Sequence, residues 1–248
     1  MWQKYYVFDE GGNTMPFSPK TIDFLIENRL HDSREWFESH KKEYRDFVIS
    51  PLRELVIALT PTMLDIDPKV TTEPKIDRTI CRIWRDTRYS KDKSRYRDHM
   101  WIIFKRGKMH STEVPGLYFE ISPDGFNYGS GFYHASTDYM NTMRKLIQEG
   151  DKDAKQAMAA YQKQSLFLME GECFKRPRYQ SAPEEQKIWL ERRNIGFYTE
   201  SADAQLLFSD QLAEKLSQDF QLLTPIYRFL VKVAQVLHET ELQRPSLL

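Results

Sequence analysis

The chain has 248 residues, 40% of them hydrophobic and 13% aromatic, and its 36 basic and 36 acidic side chains cancel. That length and apolar fraction fit an ordinary folded protein with a sizeable core and exclude a disordered one. The neutral balance excludes a global field that would draw the whole surface to nucleic acid or an anionic membrane, so any basic patch must be local.

In chain order, Met1 to Glu10 alternates aromatic and polar groups and lacks an apolar run of signal-peptide length. Ser18 and Pro19 place a cap and a first-turn proline ahead of Ile22, Leu25, Ile26 and Arg29, which predicts a helix over 19–30. Asp32 with Glu35 three residues on has the form of a capping box, and Trp36, Phe37, His40, Tyr44, Phe47 and Val48 lie on one stripe behind it. Ser50 and Pro51 repeat the cap-and-proline device before Leu52, Leu55, Val56, Leu59 and Met63, which predicts a third helix.

Past the polar stretch Asp65 to Lys75 the period changes from helical to alternating. Four strands are predicted, over 78–85, 99–105, 116–122 and 127–134, the last two joined by the turn sequence Pro123 to Phe126. The helical period returns on Met140, Met143, Leu146 and Ile147, and further helices are predicted over 153–167, 184–192 and 209–237, the last kinked or split at Pro225. Strands grouped between helices predict an α+β fold, a mostly antiparallel or mixed sheet of about four or more strands flanked by N-terminal and C-terminal helices. The expected organisation is one domain over 1–248, helical over 17–64, sheet over 76–135 and helical over 136–238.

The longest apolar-rich stretch, Tyr227 to Leu237, is interrupted by Arg228, Lys232 and Gln235 and falls short of the roughly 20 residues of a membrane span, so no transmembrane helix is expected. Cys81 and Cys173 belong to no CxxC or Cys/His cluster, which predicts reduced, structural cysteines and a cytoplasmic location.

One segment departs from average composition. Between Arg78 and His99 stand eight basic residues, Arg78, Arg82, Arg85, Arg88, Lys91, Lys93, Arg95 and Arg97, against Asp86, Asp92 and Asp98, a local balance of +5. Arginine forks suit bidentate contact with carboxylate or phosphate, and lysines add mobile charge. Strand alternation would place Ile80, Arg82 and Trp84 on one face, and Tyr118 and Glu120 on the face opposite Leu117, Phe119 and Ile121. If those polar faces coincide, Arg82, Trp84, Tyr118 and Glu120 converge. The ligand-binding candidates are therefore Arg82, Trp84, Arg85, Arg88, Lys91, Lys93, Arg97, Tyr118 and Glu120. The competing reading pairs the arginines with Asp77, Asp86, Asp92, Asp98 and Glu120 in a network that fixes the loop.

Other motifs carry less. The six histidines show no metal-ligand spacing, so no metal site is expected, although His99 and His134 could meet Glu120 as an acid/base pair. Gly129 and Gly131 lack the Lys and Ser/Thr of a phosphate loop and fit close packing or a bulge. No GxSxG elbow occurs. Lys175, Arg176 and Arg178 form a second basic cluster, which either joins the first in space or decorates a solvated loop. No catalytic residue or cofactor is assigned. Three functions remain open: a binder of a small anionic or phosphorylated ligand, with or without catalysis; a protein-interaction module with a flat apolar patch; and, least favoured by a neutral chain, a nucleic-acid binder.

The runs RIWRDTRYSKDKSRYRDH (Arg82 to His99), PGLYFEISPDG (Pro115 to Gly125) and FKRPR (Phe174 to Arg178), with the opening FSPKTIDFLIENRLHDSREWFESHKKEY, resemble the conserved-hypothetical family called domain of unknown function 2461. The resemblance extends from about Phe17 to beyond Phe229 and departs from the usual pattern at Arg95, Ser130 and Ala135. It implies a bacterial, cytoplasmic, single-domain protein and supplies no catalytic residue.

Overall fold

The computed structural model describes residues 17–88, 90–109, 114–132 and 134–243. The N-terminal stretch read above, His110 and the Tyr133 step of the fourth predicted strand lie outside them.

Helix α1, Pro19–His31, begins as its cap sequence predicts, with Ser18 extended and its N–H donating to Thr21 Oγ1 at 3.2 Å. Asp32 does not open the next helix. It closes α1 in a left-handed conformation at φ 43°, and Ser33 is the cap of α2, Arg34–Ser39, its hydroxyl accepting the Trp36 N–H at 3.4 Å. The predicted break at Ser50 is also absent. Helix α3, Lys41–Glu43, runs through a π-helical turn, Tyr44–Ile49, into α4, Ser50–Ile66. Pro51 has no N–H for the carbonyl four residues back, and the Thr21 hydroxyl donates to that Phe47 carbonyl instead, at 2.7 Å. The proline is thus accommodated inside one continuous rod.

That rod, Lys41–Ile66, is long and apolar enough by length and composition to cross a membrane, unlike the stretch considered from sequence. A core helix passes the same test: Leu52, Leu55, Val56, Leu59 and Met63 are all at most 1% exposed.

The chain forms an α+β fold around one antiparallel sheet with strand order β1-β2-β3-β5-β4. The strands are β1 Met100–Lys105, β2 Gly116–Ser122, β3 Gly125–Gly131, β4 Leu168–Glu170 and β5 Gly196–Ser201. The segment 78–85 is no strand of this ladder; it touches β1 through the single bridge Ile80↔Ile102 and pairs Trp84 with Tyr96. Its alternation fails because Ile80, Cys81 and Ile83 are all buried, two of them consecutive. Gly129 and Gly131 behave as close-packing glycines. A Cβ at 129 would lie 1.9 Å from the Phe197 carbonyl oxygen, and Gly131 has φ +155°.

Helices α5, Thr137–Gln148, and α6, Lys152–Gln162, follow β3, and α7, Glu184–Leu190, precedes β5. The short α8, Ala204–Leu207, leads to α9, Leu212–Leu222, and α10, Thr224–Gln243, which are split beside Pro225 as predicted. Helix α6 stops short of 167, freeing Phe167 to pack edge-on against Tyr128. On the apolar sheet face Phe17 stacks on Phe119, Phe220 of α9 meets Tyr128 edge-on and Trp189 of α7 packs tilted on Phe197. Buried apolar residues from Phe17 to Val233 join one cluster. Asp67, 2% exposed, ties its rim: Arg106 donates to it at 2.6 and 2.9 Å and the Tyr227 hydroxyl at 3.0 Å. Burial alone would raise the Asp67 carboxyl, but these donors and the Lys69 N–H hold it below the usual range.

Candidate functional site

The arginine-rich run is knitted to itself and to α1. Arg82 pairs with Asp77 at 2.7 Å, Arg88 with Asp86 at 2.7 Å, and Arg85 with Asp92, which Arg29 of α1 also reaches at 2.9 Å. Asp92 accepts the Ser94 hydroxyl and N–H at 2.6 and 2.9 Å, and Lys93 donates to the Thr87 carbonyl at 2.8 Å. Asp32 accepts the backbone N–H groups of Arg95 and Tyr96 at 2.6 and 3.2 Å, so the left-handed end of α1 clamps the loop. Hydrogen bonds from Ser94 and Arg85 hold Asp92 well below the usual carboxylate range, and those from Arg88 bring Asp86 down to about 2. Lys91 is exposed.

The four side chains expected to converge do not. Tyr118 and Glu120 share the half-buried outer face of the sheet, but Trp84 packs on Tyr96 and Phe37, at 4.4 and 5.3 Å, and Arg82 stays with Asp77. The reason is that 78–85 lies outside the ladder. Arg97 and Trp101 take the vacant roles: the guanidinium lies 4.6 Å over the indole, and Trp101 stands opposite Glu120, which accepts from Asn127 at 3.0 Å. Burial first, then the carboxylates of Glu170 and Glu120, push the Tyr118 hydroxyl up. The suggested acid/base pair is split. His99 pairs with Asp98 at 2.8 Å beside the start of β1, whereas His134 lies past the end of β3, at the opposite end of the sheet.

A cleft of about 640 Å³ lies at that end. It is lined by Phe132, His134 and the start of α5, by the end of β4 with Glu170 and Glu172, by Phe174 and Arg178, and by Arg193 and Asn194 before β5. No member of the run 78–99 lines it. A smaller cleft, about 470 Å³, is lined by the carboxylates Asp23, Glu27 and Glu43 against Lys20 and His40, a net acidic wall that disfavours an anion.

Arg144 organises the larger cleft. It sits on the apolar face of α5 beside Met140, Met143 and Ile147, 5% exposed, and donates to the carbonyls of Leu190 at 2.9 Å and Arg192 at 2.5 Å and to Asn141 Oδ1 at 2.9 Å. Those carbonyls belong to the exit of α7, whose unsatisfied acceptors favour a cation. Its guanidinium also lies 4.9 Å from the Phe174 ring centre, and Arg178 lies 3.9 Å from the same centre. Burial, and then the like charge of Arg178 against the opposing pull of Tyr179 and Glu191, bring the Arg144 guanidinium below its usual value. Glu191 fixes the loop by accepting the N–H groups of Arg178 and Tyr179 at 2.8 and 2.7 Å.

Among the described residues, the Arg178 guanidinium has no carboxylate partner, whereas Arg193 pairs with Glu172 at 2.8 Å. The Oδ1 atoms of Asn141 and Asn194 are occupied, the latter by the Ala135 N–H at 2.8 Å, which leaves their amide nitrogens as donors in the cleft. The start of α5, a helix of 12 residues, adds its positive end at Ala135 and Thr137. Residues of the FKRPR run thus meet a helix some thirty positions upstream in sequence. The legible signal for Arg144 was a charge inside an apolar helical stripe.

A family model described as conserved hypothetical protein matches residues 20–229. The chain belongs to the family called domain of unknown function 2461. The match spans every strand of the sheet and both walls of the cleft in this member of the family. No curated protein matches the chain.

Proposed function

We propose that the protein binds a small anionic ligand, a carboxylate or phosphate ester, in the cleft between the start of α5, the end of β4 and the Phe174–Arg178 loop. The observation that carries this reading is the Phe174 ring flanked by two guanidinium groups, of which Arg144 is committed to carbonyls and Arg178 is held for a partner from solution. The asparagine donors and the α5 terminus add to the same potential, and the cleft volume falls within the usual 300–1,000 Å³ of small-molecule sites. No reaction is assigned. The arginine-rich run serves in this reading as the scaffold that locks α1 to β1.

A second position for the same chemistry is the outer sheet face, favoured by Arg97 over Trp101 beside Glu120 and Tyr118. Free Cys81, buried, and Cys173, exposed, support work in a reducing cytoplasm. Thermal unfolding at low salt with inorganic phosphate, short carboxylates and sugar phosphates tests the proposal. A ligand at 100 times its Kd stabilises by about 2.7 kcal/mol, and Arg178→Gln is expected to cut that shift by about half or more while Arg97→Gln leaves it intact.

A further inference from the structure

We infer, resting on the anion-binding reading, that the ligand is dipolar: an amino acid class molecule whose anionic end meets Arg178 and whose ammonium meets Glu170. Two carboxylates, Glu170 and Glu172, line the same cleft as Arg178. Glu172 already pairs with Arg193 at 2.8 Å, so its charge is offset within the protein. Glu170 has no ion pair among the described residues. A purely anionic ligand would face that carboxylate without compensation, and the charge would weaken the site that Arg178 builds. A ligand carrying an ammonium converts the repulsion into a charge-assisted hydrogen bond.

The position of Glu170 is set by the fold. It is the last residue of β4, opposite Gly196 in the register, and a Cβ at residue 196 would stand 2.9 Å from its Oε1. Glycine at 196 therefore leaves room for the carboxylate to lie against the sheet. Glu170 and Arg178 come from different elements, the strand end and the loop beyond it, and both line the same cleft. A lone carboxylate is a poor divalent-cation site, which needs six or more oxygen ligands for calcium or octahedral coordination for magnesium. A primary ammonium requires only a carboxylate and nearby oxygens.

The test is isothermal titration of the full chain with a series of ω-amino acids from glycine to 6-aminohexanoate, each matched by the alkanoate of equal chain length, and with inorganic phosphate. Wild type is expected to prefer one amino acid over its alkanoate by about ten-fold or more, the range of a single charged hydrogen bond. Glu170→Gln should erase the preference while alkanoate binding persists, Glu170→Asp should keep it with an optimum one methylene longer, and Arg178→Gln should weaken both ligands. Alkanoates or phosphate binding as tightly as every amino acid would overturn the dipolar assignment and leave the anion reading standing. Binding of neither kind would end both, and an amino acid preference untouched by Glu170→Gln would overturn the role of Glu170.

Discussion

Two basic regions of this molecule look alike in composition and differ in what surrounds them. In the run from Arg78 to His99 the cations find carboxylates a few residues away: Arg88 with Asp86, Arg85 with Asp92, Arg82 with Asp77. In the cleft, Arg144 is buried against backbone carbonyls and Arg178 lies 3.9 Å from the Phe174 ring centre with no carboxylate partner among the described residues. Charge density along a sequence therefore says little about charge available to a ligand. What matters is whether the partner is local, which favours a self-closed loop, or absent, which leaves a field in a cavity.

The largest expected effect is at the core of the cleft. Arg144→Met removes donors to Leu190, Arg192 and Asn141 and leaves buried carbonyls without partners, so it should lower stability by about 3 kcal/mol in urea unfolding. A near-neutral outcome would show that the exit of α7 does not depend on that guanidinium.

Buried charge of another kind is found at Lys105, which is 4% exposed and whose ammonium burial brings down to about 8 from 10.5. A lysine with a depressed folded value costs stability wherever it is charged, so the cost is fully present below pH 8 and is relieved as pH rises from 8 towards 10.5. Lys105→Met should flatten the stability profile between pH 8 and 10.5. An unchanged profile would place the ammonium in a better-solvated setting than its burial implies.

Arg178→Gln should leave stability close to wild type and weaken anion binding by about 1.5–3 kcal/mol, measured by titration. The smallest effect belongs to the run: Arg82→Ala, an exposed partner of Asp77, should change stability by less than about 1 kcal/mol and anion affinity not at all. Loss of binding on that substitution would reverse the comparison.

The parts of the fold legible in sequence are those whose signals are local. Leu117, Phe119 and Ile121 alternate cleanly and β2 is found with its bounds; Pro19 and Pro225 mark helix starts. Strand β4 is three residues long and β5 follows the polar Arg192, Arg193 and Asn194, so neither presents enough period to be seen. Asp32 misleads because the end of one helix and the cap of the next fall within two residues. Pro51 misleads because its relief comes from Thr21, 26 residues before Phe47. The run 78–85 reads as a strand from its apolar residues, yet consecutive Ile80 and Cys81 are both buried. The cleft required contacts between α5, β4 and the Phe174 loop, none of which a local pattern encodes, although Arg178 and its neighbours were visible as a cluster.

We propose that the anion site is the cleft and not the arginine-rich run. The most direct measurement is a low-salt titration of inorganic phosphate and a short carboxylate into wild type, Arg178→Gln and the double variant Arg82→Gln/Arg85→Gln, each first checked for a native thermal transition. Saturable binding to wild type and to the double variant, weakened about ten-fold or more in Arg178→Gln, is the predicted result. Wild-type affinity in Arg178→Gln together with loss of binding in the double variant would contradict it and return the site to the run.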